Sequence, residues 1–198
     1  MQELIFASNN QYKAEEIRSV LSNLFTIKTL KEAGINIDIP EPHNTLEKNA
    51  AEKSSVIYRL TKKDCFSEDT GLEVAALNGE PGVRSARYAD DRSFNNNIDK
   101  LLDKLKNKQN RRAQFRTVIS LIFKGKEYKF EGVCKGIIIA QQRGEGGFGY
   151  DPVFMPEGAE KTFGEMNIEE KNIYSHRKKA TEKLIEFLKR TENTQTTR

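Results

Sequence analysis

Three short runs place chargeable side chains where local structure alone would not ask for them. "SNNQYK", Ser8 to Lys13, joins an apolar strand-like run to an amphipathic helix. Small polar side chains and backbone N–H groups at such a turn form an anion cradle, and Lys13 adds a positive charge. A plain helix cap with a solvated lysine accounts for the same residues. "SEDTG" sets Glu68 beside Asp69 at the end of an apolar strand. Adjacent side chains on an extended chain point to opposite faces, so one carboxylate can bind metal while the other supports from behind. An ordinary strand-end turn, with Gly71 supplying an unusual backbone angle, is the alternative. "YSHRKKA" opens the last helix with His176, Arg177, Lys178 and Lys179 behind the capping Ser175. A helix N-terminus favours anions, and each cation there costs up to about 1 kcal/mol. A bound polyphosphate or a base carbonyl would offset that cost, and broken local rules tend to mark functional sites. A solvated basic face is the bland reading.

A fourth run, "GEGGFGYDP", contains a literal G-x-G-x-x-G at Gly144, Gly146 and Gly149. A dinucleotide fingerprint needs a helix to open behind the glycines. Here Pro152 follows at once and biases Asp151 away from helical angles. No Walker A sequence occurs either. The charged runs together point to a nucleoside triphosphate held by lysines and helix termini, with a carboxylate-bound metal.

Composition narrows the choice. At 198 residues, 36% apolar and 31% charged, the chain suits one globular domain of two lobes over residues 1–190, with a polar, fraying tail at 191–198. No apolar run approaches the roughly 20 residues of a membrane span, so no membrane partner is expected. The strand-like "ELIFAS" at the start leaves no room for a signal peptide, and the expected setting is cytoplasmic. Cys65 and Cys134 lie far apart in apolar runs and read as buried reduced thiols. Two histidines cannot build a histidine-rich zinc site. Metal must then sit on carboxylates, which favours Mg2+, with Mn2+ as the alternative. A net charge of +4 permits a nucleic-acid partner without arguing for one.

These residues need elements to position them. Residues 3 to 8 read as a strand, followed by a helix with Ile17, Val20, Leu21 and Leu24 on one face. "FTIKTL" reads as a second strand. Asn44 and Glu47 have capping-box spacing before a helix from about Thr45 to Leu60. "DCFSED" is a strand ending in acid, and Gly71 to Tyr88 is loop. "FNNNIDKLLDKL" lines up Phe94, Ile98, Leu101, Leu102 and Leu105 on a helix face. Long strands then fold back at Lys124-Gly125, irregular structure follows, and a last helix runs from about Ser175 to Lys189. The mixture argues an α/β fold with a mixed sheet.

Five of these pieces, in this order, resemble the inosine/xanthosine triphosphate pyrophosphatases. They are "FASNNQYKAEEI", "TLEKNA", "EDTGLEVAALNGEPGVRSARYA", "GEGGFGYDPVF" and "EEKNIYSHRKKA", spanning about residues 4 to 180. The resemblance implies an ITPase-like (Maf/Ham-type) α/β fold, an elongated mixed sheet flanked by helices with two lobes around a central cleft. It also implies a homodimer and magnesium-dependent hydrolysis of ITP, dITP and XTP to the monophosphate and pyrophosphate. Carried over, Ser8, Asn9, Asn10, Gln11, Tyr12 and Lys13 hold the phosphates. Asp69 is the general base and a metal ligand with Glu41, and Thr70 contacts substrate. Phe148, Gly149, Tyr150 and Asp151 form the base pocket, and Lys171, His176 and Arg177 complete the contacts. The glycines would let backbone lie flat against a purine while Phe148 stacks on it. Arg177 would donate to O6, which adenine lacks. The chain departs from the family's Asp-Asp-Ser-Gly with Glu68-Asp69-Thr70-Gly71, and carries Lys48 where many members have Glu. A Maf-like pyrophosphatase is the enzymatic rival, against which "GGFGYDP" and "SHR" argue. A non-catalytic nucleic-acid binder is the rival from another class.

Overall fold

The structure, a computed structural model, describes residues 2–21 and 25–193. Among them the strands form one sheet in the order β2-β1-β3-β5-β6-β7, with β4 paired to β3. The strands are β1 (Gln2–Phe6), β2 (Phe25–Thr29), β3 (Cys65–Val74), β4 (Pro81–Gly82), β5 (Arg112–Phe123), β6 (Lys126–Ile138) and β7 (Phe154–Pro156). The helices are α1 (Gln11–Arg18), α2 (Leu46–Thr61), α3 (Phe94–Leu105), α4 (Ile168–Tyr174) and α5 (His176–Asn193). The β1 strand pairs in parallel with β2 and β3, whereas β3–β4 and β6–β7 are antiparallel. The mixed α/β sheet expected from the sequence is therefore present.

The chain divides into two compact units. The first comprises residues 1–69, 117–132 and 177–198; the second comprises 70–116 and 133–176. In the first, the core of Leu4, Phe6, Ile17, Phe66, Ile119, Leu121 and Leu184 is fully buried, and Phe6 stacks on Phe66 at 4.9 Å. In the second, Leu72, Ile98, Leu101 and Leu105 pack with Phe115, Phe154 and Phe163. Fully burying such side chains contributes about 1.5–3 kcal/mol each, which makes these two clusters the anchors of their units.

Local differences from the sequence reading have physical causes. The α1 helix ends at Arg18, earlier than the apolar spacing predicts; Leu24 lies outside the described residues. Thr45, not Asn44, caps α2: its side chain accepts the Lys48 N–H. Lys48 thus occupies the position where a capping box needs Glu or Gln. The strand carrying Glu68 and Asp69 does not end in acid but runs on to Val74, because Leu72 and Glu73 pair with β4. A short helix, α4, occupies the end of the stretch expected to be irregular, and Asn167 with Glu170 forms a complete capping box there. The turn at Lys124-Gly125 has positive φ at both residues, as a tight hairpin requires. The last helix continues to Asn193, so residues 191–193 of the expected tail are helical; 194–198 lie outside the described residues. No described helix is long and apolar enough to cross a membrane.

Candidate active site

In the first unit, the turn after β1 starts α1 through two side chains. Ser8 Oγ accepts the Asn10 N–H at 3.1 Å, and Asn10 Oδ1 accepts the Lys13 N–H at 3.2 Å. Asn9 Oδ1 accepts the Lys31 N–H at 2.8 Å, tying the turn to the end of β2. Gln11 and Tyr12 stay exposed. Lys13 Nζ lies 2.5 Å from Glu68 Oε1. The other Glu68 oxygen accepts from Arg177 Nε at 2.9 Å, and Arg177 Nη1 also bonds Glu16 on α1. Four charges of alternating sign, Lys13, Glu68, Arg177 and Glu16, are thus chained together. Burial opposes ionisation of Glu68, but Arg177 and Lys13 outweigh it and hold its carboxyl well below the usual range.

Arg177 corrects the sequence reading. Its side chain is 1% exposed and committed to two carboxylates, not presented from an open helix start. Two internal carboxylates, Glu68 and Glu16, offset this cation at the helix N-terminus. Lys178 pairs with Glu182 along α5.

A second cluster lies along α2. Lys53 Nζ is 2.5 Å from Glu41 Oε1 and 3.5 Å from Asp69 Oδ1. Burial pushes the Asp69 carboxyl above its ordinary range, more strongly than Lys53 and Lys13 pull it down. For Lys53 the balance reverses: burial disfavours its charge, but Asp69 and Glu41 prevail and raise its pKa. Asn49, one turn before Lys53, exchanges two hydrogen bonds with the His43 backbone, at 2.9 and 3.1 Å. It thereby fixes the loop that carries Glu41. Sequence reasoning missed Lys53, Asn49 and Glu16. On α2, Asn49 and Lys53 interrupt the apolar stripe Leu46, Ala50 and Ile57, an interruption that by itself reads as solvated positions.

Asp69 Oδ2 is buried and has no hydrogen-bond partner among the described residues. A buried carboxylate oxygen left open is costly unless something binds it. Among the described residues no three His, Cys, Asp or Glu gather as an all-protein metal cage. Mg2+ needs no such cage, since it binds through one or two carboxylates completed by waters and substrate phosphates. Asp69 with Glu41 fits that smaller set.

In the second unit the glycine-rich run is organised by one carboxylate. Asp151 Oδ2 accepts the Phe148 N–H at 2.9 Å and lies 2.6 Å from Lys171 Nζ. Gly147 has φ of 73°, and a Cβ there would sit 2.2 Å from that same oxygen. Gly149 has φ of 62° with open space around its Cα. Of these two, only Gly149 matches the expectation of an unobstructed face; Gly147 is required by Asp151. No α-helix follows the glycines, only a 3-10 turn at Asp151–Val153. The Tyr150 hydroxyl donates to the Ser85 carbonyl at 2.8 Å, and burial raises its pKa above the ordinary range. Tyr150 and Asp151 are therefore buried supports of the loop, while Phe148 and Gly149 are half-buried. Lys171 lies 5.3 Å from the Phe148 ring and 5.0 Å from the Phe163 ring. His176 stacks on Phe115 at 4.7 Å. Thr70 follows Asp69 on β3, half-buried.

The model of the Ham1 family matches residues 4–187 of this sequence. The chain belongs to the Ham1 family. It is 50% identical over 188 residues to a dITP/XTP pyrophosphatase of Flavobacterium psychrophilum, covering 94% of this chain and 99% of that protein. It is 47% identical to the dITP/XTP pyrophosphatase of Porphyromonas gingivalis, covering 95% and 98%. Among solved structures it is similar to the Ham1 protein of Staphylococcus aureus, with a TM-score of 0.86 and 39% identity over 95% of this chain and 98% of that one. The HAM1 protein of Coxiella burnetii gives 0.87 and 34%, covering 96% and 100%. The fold is thus that of Ham1 proteins. All the site residues described above fall inside the stretch that the family model matches.

Proposed function

We propose that this Ham1-family chain hydrolyses deaminated purine nucleoside triphosphates, dITP, XTP and ITP, to the monophosphate and pyrophosphate, keeping those bases out of nucleic acid. The observation that carries the reading is the buried Asp69 carboxylate, open on one oxygen, beside Lys53 and Glu41 in a chain half identical to a dITP/XTP pyrophosphatase.

Asp69 and Glu41 would hold Mg2+, with Mn2+ as a substitute. Bound there, the metal would neutralise phosphate charge and lower the pKa of water. Asp69 is the general base: burial raises its proton affinity toward the working range, which is what proton transfer at neutral pH requires. Lys53 stays protonated beside it and orients its Oδ1. Ser8, Asn9, Asn10, Gln11, Tyr12 and Lys13 receive the phosphates. Lys13 would exchange its contact with Glu68 for a phosphate oxygen, while Arg177 and Glu16 keep Glu68 balanced. Thr70 contacts the substrate next to the base. Phe148 stacks on the purine and Gly149 gives it clearance, with Tyr150, Asp151, Lys171 and His176 holding that loop. Arg177 is held by Glu68 through Nε and by Glu16 through Nη1, and its remaining N–H donors would serve O6 of the purine.

A homodimer and a cytoplasmic setting accompany this reading; the two buried free cysteines suit a reducing compartment. The test is pyrophosphate release with Mg2+ across dITP, XTP, ITP, ATP, GTP and dTTP. Turnover of the first three at least 100-fold above the rest is expected. A flat profile, or binding to nucleic acid without turnover, overturns the reading.

A further inference from the structure

Phe94 departs from the helix face to which its spacing assigns it. Ile98, Leu101 and Leu105 on α3 are buried, whereas Phe94, at the first position of the helix, is 41% exposed. Its ring instead approaches Phe148, with centroids 6.3 Å apart and planes at 51°. Aromatic pairs at this separation and tilt attract through their quadrupoles.

Both rings are anchored to one turn. Ser93 caps α3 by accepting the Asn96 N–H at 3.3 Å. Asn97, a turn further on, donates to the Ala86 carbonyl at 3.3 Å and accepts the Ala89 N–H at 2.7 Å. The same turn receives Tyr150 at the Ser85 carbonyl, two residues beyond Phe148. Ser85 Oγ in turn accepts the Leu72 N–H at 2.9 Å on β3 and donates to the Gly82 carbonyl at 2.6 Å. The start of α3 and the Phe148 loop are therefore held on one scaffold, which brings the two backbones that carry the rings together.

We infer that Phe94 is a positioning residue for the nucleobase: it holds the Phe148 ring at the tilt that a flat fused-ring base stacks on. The inference rests on the function proposed above. The Asp151 bond to the Phe148 N–H fixes the backbone end of this residue, and the Lys171 ammonium lies 5.3 Å from the ring centre. Phe94 restrains the ring itself. Without it the ring gains rotameric freedom that base binding must remove, so the loss falls on affinity for the base and leaves the phosphate end alone.

The test is steady-state kinetics of Phe94→Ala and Phe94→Tyr with dITP and Mg2+, and inhibition by inorganic triphosphate, which carries no base. For Phe94→Ala, KM for dITP should rise about two- to tenfold, the energy of one aromatic pair. Its kcat should stay within about twofold and its Ki for inorganic triphosphate should not move. Phe94→Tyr keeps the ring and should restore KM. Thermal melting of Phe94→Ala should fall by no more than a few degrees, since one partly exposed aromatic pair is lost. An unmoved KM, or KM and Ki rising together, overturns the positioning role while leaving the activity standing. Wild-type protein that releases no pyrophosphate from dITP overturns the function itself.

Discussion

In the first unit, buried charges balance one another: Lys13, Glu68, Arg177 and Glu16 alternate in sign, and Lys53 sits against Glu41 and Asp69. The second unit has the buried pair Lys171 with Asp151, which ties down backbone among aromatic rings. The first arrangement suits a ligand that brings much negative charge, since the lysines can exchange carboxylate for phosphate without new charge being buried. The second suits a flat, weakly polar ligand, since its exposed elements are ring and glycine. The two halves of a nucleotide make these two demands. Different losses should follow when each arrangement is broken.

The largest effect is expected at Asp69. On the proposed mechanism Asp69→Asn would remove the base and most metal affinity, so kcat for dITP should fall about 10²- to 10⁴-fold. Burial already disfavours the charged carboxylate, so the amide should melt no lower than wild type. A variant retaining a tenth of wild-type kcat would show that the charged cluster of the first unit is structural.

Arg177 comes next. Read from sequence, a cation at a helix N-terminus should be neutral or better to remove. In the structure its removal leaves the buried Glu68 paired with Lys13 and takes the guanidinium from Glu16, and breaking a buried pair costs up to about 3–5 kcal/mol. Urea denaturation of Arg177→Ala should show that loss. If stability is unchanged, the alternating network is not what holds α1, β3 and α5 together.

The corresponding break in the second unit is smaller and local. Gly147→Ala forces a side chain into a positive φ and onto Asp151 Oδ2, whereas Gly149→Ala meets only the backbone cost. Displacing a strained loop by about 1–3 kcal/mol should raise KM for dITP roughly five- to hundredfold in Gly147→Ala. Gly149→Ala should raise it less, and kcat should move little in either. A larger effect at Gly149 would mean that the open face, not the Asp151 anchor, sets base affinity.

How much of this was legible beforehand follows the same division. The apolar spacing of α3, the Lys124-Gly125 turn and the mixture of βα units with a hairpin gave the fold class, because burial patterns repeat at short range. Asp69 and Lys13 stand out in their motifs as charges at strand and helix ends, and Glu41 is picked out by the family resemblance alone. Lys53 and Glu16 could not, because a charged residue on an apolar stripe reads as solvated until its partner, distant in sequence, is known. Arg177 is the sharpest case: the helix-dipole argument was sound, but its compensation comes from Glu68, 109 residues away. The α4 helix was missed although Asn167 and Glu170 spell its cap, since its seven residues are too few to display a period.

The last test, silent at neutral pH, asks whether the first unit accepts buried charge only when it is paired. Glu68 is buried and ionises readily because Arg177 and Lys13 face it. Cys65, three residues earlier on the same strand, is also buried, and burial with the nearby Asp64 charge pushes its thiol up to about 12 from an ordinary 9.0. The unfolded chain therefore loses this proton near pH 9 while the folded chain keeps it to about 12. Over that window the unfolded state binds fewer protons, so stability falls as pH rises, at about 1.4 kcal/mol per pH unit for one proton. Below pH 9 the thiol is protonated in both states and contributes no slope. Lysines and tyrosines titrate in the same range, so the informative quantity is the difference between wild type and Cys65→Ala in urea denaturation from pH 8 to 11. The difference should be constant up to about pH 9 and then change in favour of the variant. A difference that stays flat throughout would mean that this part of the core admits an unpaired anion, and that the pairing around Glu68 is not a condition of burying it.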